Sequence, residues 1–174
     1  MGWAGEIQAS PRHLQGSAME PSTHEDRQAL NECVIHLLHR AGQCAGDLFT
    51  EEVVDGGLTP RQYAVLVSVS LDEGLSQTDL VERTGIDRST LADIIRRMLK
   101  KGLVSRRRTR NDARVYSVKL TDAGHDALRA AQPAADQADE RLLAALEPAK
   151  RDEFLRSLNA IVRAIGPENA KNGA

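Results

Sequence analysis

The apolar positions of this chain recur at two different periods, and the switch between them marks out its elements. Leu30, Val34, Leu37, Leu38, Ala41, Ala45 and Leu48 fall at helical spacing. Ser22 and Glu25 precede them in capping-box register, so a first helix is predicted to run to about Val53 and to stop at the turn 55–57. Thr59 followed by Pro60 is an N-cap with proline at the first helical position. The segment it opens, RQYAVLVSVSL, is apolar nearly all round and is expected to be buried. Ser76 with Asp79 caps a short helix ending near Thr84 and Gly85. Asp87 then caps another, whose Leu91, Ile94, Ile95, Met98 and Leu99 form an inward stripe closed by Gly102. Two helices joined by a short turn containing glycine make a helix-turn-helix candidate.

After Gly102 the period drops from 3.6 to 2. Segments 103–108 and 114–120 read as strands joined by the polar turn 109–113. Tyr116, Val118 and Leu120 share one face, and Tyr116 and Val118 are expected to anchor the hairpin to the core. A hairpin directly after a helix-turn-helix is a wing. Thr121 caps a long helix rich in Ala and Leu, in which Pro133 predicts a kink near 129–133 or a split into two. A last helix after Pro148 carries Phe154, Leu155, Leu158, Ile161, Val162 and Ile165 on one stripe and ends at Gly166-Pro167. The expected fold is mainly α with a small β-hairpin wing, a winged helix-turn-helix.

Composition sharpens this picture only in places. Aromatics are 3% of the 174 residues, so the core must be built from Leu, Ile, Val and Ala, which favours helices packed on helices. No apolar run approaches the roughly 18 residues of a membrane span. Residues 1–22 have neither the basic start nor the apolar stretch of a secretory signal and read as a mobile tail, with Met19 as an alternative start. Residues 167–174 read as a second flexible tail. Cys33 and Cys44, eleven residues apart on one predicted helix, would lie about 16 Å apart, too far to bond within one chain. A reducing cytoplasm fits that usage. No Gly-rich phosphate loop or nucleophile motif is present, and His36 and His39 lack acidic or thiol partners on their face. Neither an enzyme, a cofactor nor a metal site is therefore expected.

Charge changes the picture most. Residues 76–119 hold 12 Lys/Arg against 5 Asp/Glu, a net of +7, while the rest of the chain carries −9. Within RRRTRNDARVYSV (106–118), five arginines fall in nine residues. A basic module in an acidic body points to a polyanionic partner. On the second helix of the helix-turn-helix, Arg88, Ser89, Thr90, Asp93, Arg96 and Arg97 avoid the apolar stripe. Such a face is either solvated or a reader of base edges, with Arg88 suited to guanine and Ser89 and Thr90 to bases or phosphates. Asp93 would accept from a cytosine amine or orient a neighbouring arginine. Arg110 and Arg114 at the wing tip suit the minor groove, where Asp112 can hold the Arg114 guanidinium in a fixed fork. Arg106, Arg107 and Arg108 suit phosphates. The alternatives to duplex DNA are a solvated basic loop and a winged helix kept for protein contacts.

LTPRQYAVL (58–66) and the segment from SQTDL (76–80) through KKGLV (100–104), Asp112-Ala113-Arg114 and LTDAG (120–124) resemble MarR-type transcriptional regulators. The resemblance runs over about 25–165. It implies a homodimer in which 23–56 and 121–166 form a helical dimerisation region and 58–120 the winged helix-turn-helix. It also implies that the dimer binds a near-palindromic double-stranded DNA operator, that Asp112 orients Arg114, and that a small ligand, an aromatic acid or its acyl-CoA thioester, releases a repressor. By that analogy His36, His39, Arg40 and Tyr63 are the ligand candidates. Some members sense oxidants through a cysteine near Cys33. Here Leu37 stands where such sensors carry a tyrosine, so Cys33 is expected to be a small buried hydrophobe.

Overall fold

The computed structural model describes residues 30–53, 57–108 and 116–166. The Ser22–Glu25 cap, the wing turn and both tails lie outside the described residues. The chain divides between His39 and Arg40 into two units. In the first, residues 30–32 are helical and Cys33 interrupts the helix before α1 (Val34–Glu52) begins and continues into the second unit. Leu30, Val34, Ile35, Leu37 and Leu38 are all exposed. Cys33 is exposed as well, as is Cys44 in the second unit, which corrects the expectation of a buried thiol. Helical spacing reports a stripe but not whether the chain itself covers it.

The second unit continues with α2 (Pro60–Leu71), α3 (Gln77–Thr84), α4 (Arg88–Lys100), β1 (Val104–Arg108), β2 (Tyr116–Leu120), α5 (Asp122–Ala144) and α6 (Pro148–Ile165). The starts of α2, α3, α4 and α5 are set by the capping residues read from the sequence. Thr59 with Gln62 and Ser76 with Asp79 each form a reciprocal box. Asp87 accepts from the Thr90 N–H, and Thr121 from the Gly124 N–H. At the end of α4, Gly102 takes φ +71°, and the Leu103 N–H reaches back to the Met98 carbonyl at 3.0 Å. That left-handed stop turns the chain into β1.

Val65, Leu66 and Val69 of α2, Leu80 of α3, Leu91, Ile95 and Met98 of α4 and Val118 of β2 are fully buried together. A smaller cluster joins Phe49 of α1 to Ala135 and Ala138 of α5. Arg141 of α5 pairs with Glu51 at 3.0 Å and Glu52 at 2.6 Å, fastening the end of α1. The hairpin pairs Val104 with Leu120 and Arg108 with Tyr116. On its other edge β2 bonds the segment before α3, where the Val118 N–H donates to the Leu75 carbonyl at 2.9 Å. That edge explains the burial of Ser117.

One expectation is revised and another is narrowed. Tyr116 is 44% exposed and not a core anchor, because the hairpin has passed the rim of the core by the Arg108–Tyr116 pair. Of the kink or split expected at Pro133, the split does not occur, since α5 runs unbroken through the proline. Ala131, Ala134, Ala135 and Ala138 are buried on both sides of the proline, and this packing offsets the hydrogen bond its ring removes. No residue of α6 is buried, although its stripe holds Leu155, Ile161, Val162 and Ile165.

Candidate nucleic-acid interface

The buried stripe of α4 fixes which of its side chains face out. Leu91, Ile94, Ile95 and Met98 are inside, so Arg88, Ser89, Ala92, Asp93, Arg96, Arg97 and Lys100 are outside and Thr90 lies at the margin. Asp93 orients an arginine, as one of its two sequence readings has it: Arg96 Nη2 lies 2.9 Å from its carboxylate. Arg88 and Arg97 form no ion pair among the described residues. Asp87 holds the first turn, accepting the Ser89 hydroxyl at 2.6 Å and the Thr90 N–H at 2.9 Å.

β1 leaves the core immediately after α4, which carries exposed Arg106 and Arg107 away from the apolar interior. Lys119, on β2, is committed elsewhere through Glu73 at 2.7 Å. Arg108 lies at the end of β1. Arg110, Asp112 and Arg114 lie outside the described residues.

A separate cleft of about 730 Å³ opens between α1, the start of α2 and α5. The rings of Phe49 and Tyr63 stand 5.3 Å apart and tilted by 47° on its wall. The Tyr63 hydroxyl donates to Gln132 Oε1 at 3.0 Å, and Gln132 Nε2 donates to Asp136 at 2.8 Å. Burial and then the nearby Asp136 charge push the Tyr63 hydroxyl above its ordinary pKa, so it stays a donor. Among the described residues, Asp47, Asp136 and Asp139 line the cleft against one cation, Arg61. Of the four ligand candidates, Tyr63 lines this cleft. Arg40, exposed on α1, does not, and His36 and His39 belong to the first unit. Sequence reasoning missed Phe49, Arg61, Gln132 and Asp136. The spacing of Gln132, Asp136 and Asp139 along one face of α5 was a readable signal, but it named no opposing helix. Among the described residues, no group of three His, Cys, Asp or Glu is placed to hold a metal ion, and no helix is long and apolar enough to cross a membrane.

The sequence model of the MarR family matches residues 56–115. The transcriptional regulator HosA from Escherichia coli is 33% identical over 128 residues, which span 74% of this chain and 93% of HosA. The chain belongs to the MarR family. Two solved structures of similar fold extend the comparison. The transcriptional repressor CouR bound to a 23-mer DNA duplex matches with a TM-score of 0.69 at 30% identity, covering 76% of this chain and 94% of CouR. BpsR of Bordetella bronchiseptica, whose DNA binding is regulated by 6-hydroxynicotinic acid, matches with a TM-score of 0.68 at 30% identity, covering 74% of this chain and 97% of BpsR. As a MarR-family member, the chain is a DNA-binding transcriptional regulator with a winged-helix fold.

Proposed function

We propose that this chain is a homodimeric repressor that grips a near-palindromic operator and lets go when a small aromatic acid enters the cleft beside Tyr63. The observation that carries the DNA half is α4, where one apolar stripe is buried and Arg88 and Arg97 face outward without ion-pair partners among the described residues. In this reading the first turn of α4 lies in the major groove, the strand arginines Arg106 and Arg108 meet phosphates, and Arg110 and Arg114, the latter steadied by Asp112, serve the minor groove. Arg97→Ala is expected to weaken binding to all duplexes alike and to lower the salt slope by about 1. Arg88→Ala is expected to relax preference at one base position. Fluorescence anisotropy across a salt series measures both, and unchanged slopes and preferences in both variants would remove α4 from the interface.

The homodimer draws its support from the uncovered apolar residues, Leu30, Val34, Ile35, Leu37 and Leu38 in the first unit and Leu155, Ile161, Val162 and Ile165 on α6. A second copy is the occupant that a two-fold operator requires, with half-sites about 34–36 Å apart. In this division 23–56 and 121–166 make the dimer and 58–120 reads DNA.

The effector reading draws on the cleft's size, which suits a ring-sized ligand, and on its aromatic wall. Arg61 is the cation available to a carboxylate, and the three aspartates favour ring substituents that donate hydrogen bonds. They would repel the phosphates of a coenzyme A thioester, so the free acid is the better fit of the two ligand classes. Arg61→Ala should raise the concentration of a hydroxylated aromatic acid needed for operator release roughly tenfold, the loss of one charge-assisted pair. Release at the wild-type concentration would discard Arg61 as the clamp.

The exposure of Cys33 favours a second reading, in which oxidation replaces the ligand. Peroxide treatment of wild type and Cys33→Ser separates them: the ligand reading expects both to keep operator affinity.

A further inference from the structure

The polar atoms at the start of α4 are committed in a way that restricts what they can recognise. Asp87 Oδ1 accepts two bonds at once, from the Ser89 hydroxyl at 2.6 Å and from the Thr90 N–H at 2.9 Å. Those bonds, Ser89 first and then Thr90, hold the Asp87 carboxyl far below the usual carboxylate range. It therefore has no proton to offer at any pH where the protein works. A serine hydroxyl has one hydrogen, and that of Ser89 is spent on Asp87, so the outward lone pairs of Ser89 can only accept. Both side chains are exposed. The result is a small surface of hydrogen-bond acceptors, next to Arg88, on the turn that a recognition helix presents to base edges.

DNA offers few partners to such a surface. Phosphate oxygens, guanine O6 and N7 and thymine O4 are themselves acceptors. In the major groove the donors are adenine N6 and cytosine N4. We propose that the Asp87–Ser89 pair reads an exocyclic base amino group, adenine N6 or cytosine N4, and disfavours guanine and thymine at the base it faces. This rests on α4 being the DNA-reading helix. It replaces the broader expectation that Ser89 serves bases or phosphates, because a phosphate contact needs the hydrogen that Ser89 already donates to Asp87.

The test starts from operators selected out of a random duplex library by the full-length wild-type protein. Competition binding at fixed salt is then measured for wild type, Ser89→Ala and Asp87→Asn on every single-base change. Wild type is expected to prefer adenine or cytosine at one position of each half-site by roughly tenfold. Ser89→Ala should flatten the preference there and leave the other positions unchanged. Asp87→Asn keeps a good helix cap, but its amide places a donor beside Ser89, so it should admit guanine or thymine at the same position. Removing the 6-amino group, by a purine lacking it in place of adenine, should weaken wild type as much as Ser89→Ala does and weaken that variant no further. If cytosine is preferred, 4-deamino cytosine serves the same purpose. Two results would overturn the proposal: a guanine or thymine preference at the position Ser89→Ala alters, or a uniform loss across all sequences, which marks a phosphate contact. Arg88→Ala and Arg97→Ala separate the base reading from the placement of the helix. If they weaken binding while Ser89→Ala changes nothing, the amino-group reading fails alone; if none of the variants alters DNA binding, the assignment of α4 fails with it. Thermal melting of each variant confirms that α4 is folded.

Discussion

Gly124→Ala is expected to destabilise the protein by about 3 kcal/mol and to lower its melting temperature by about 10 °C. Gly124 is buried in the first turn of α5, and a Cβ built on it would run into the Leu103 carbonyl oxygen. That obstacle is backbone and cannot rotate away. It is also held in place, since the Leu103 carbonyl accepts the Thr121 N–H at 3.2 Å and the Thr121 hydroxyl donates to the Gly102 carbonyl at 2.6 Å. The added methyl would therefore push the start of α5 away from the start of the wing. Gly46→Ala in α1 is the contrast, because a methyl there would meet nothing within 4 Å and no left-handed backbone is needed. It should be neutral or stabilise by about 0.5–1 kcal/mol through helix propensity. Equal melting temperatures for Gly124→Ala and wild type, read by circular dichroism, would contradict the close approach at this junction.

Val162→Glu is expected to dissociate the proposed homodimer and to cut affinity for a two-half-site operator roughly a hundredfold, the loss of bivalent attachment. Val162 is 68% exposed within the chain, so a glutamate there costs the isolated fold little. In an interface the same carboxylate would be buried against Ile161, Ile165 and their counterparts without a partner charge. Light scattering after gel filtration gives the mass, and binding to full and half operators gives the affinity. A variant that stays dimeric with full affinity would remove the α6 stripe from the interface.

The helix-turn-helix was readable because its boundaries are local. Thr59, Ser76, Asp87 and Thr121 each satisfy a backbone N–H within three residues, so the cap and the helix it starts lie in one short window. Gly102 is legible for the same reason, since a left-handed stop needs a residue without a Cβ. The exposure of Tyr116 was not legible. Alternation assigns it to the face of Val118, but only the reach of the core decides where along that face burial ends. Pro133 left a kink and a split as alternatives, and packing decides against the split: buried alanines on both sides of it keep α5 continuous.

The cleft shows the same division more sharply. Tyr63 could be named from the family pattern, whereas Phe49, Arg61 and Gln132 meet it from α1, the first turn of α2 and α5. What the sequence determined by itself was the order of helices and strands, the basic module between 76 and 119, and the set of side chains excluded from the α4 stripe. Those follow from periodicity, capping and charge, which act over a few residues. The tertiary structure decided which faces are covered and which carboxylates surround Tyr63. Those depend on distances between groups in three dimensions, and a hydrogen bond or a cleft wall exists only once the chain has brought its two sides together.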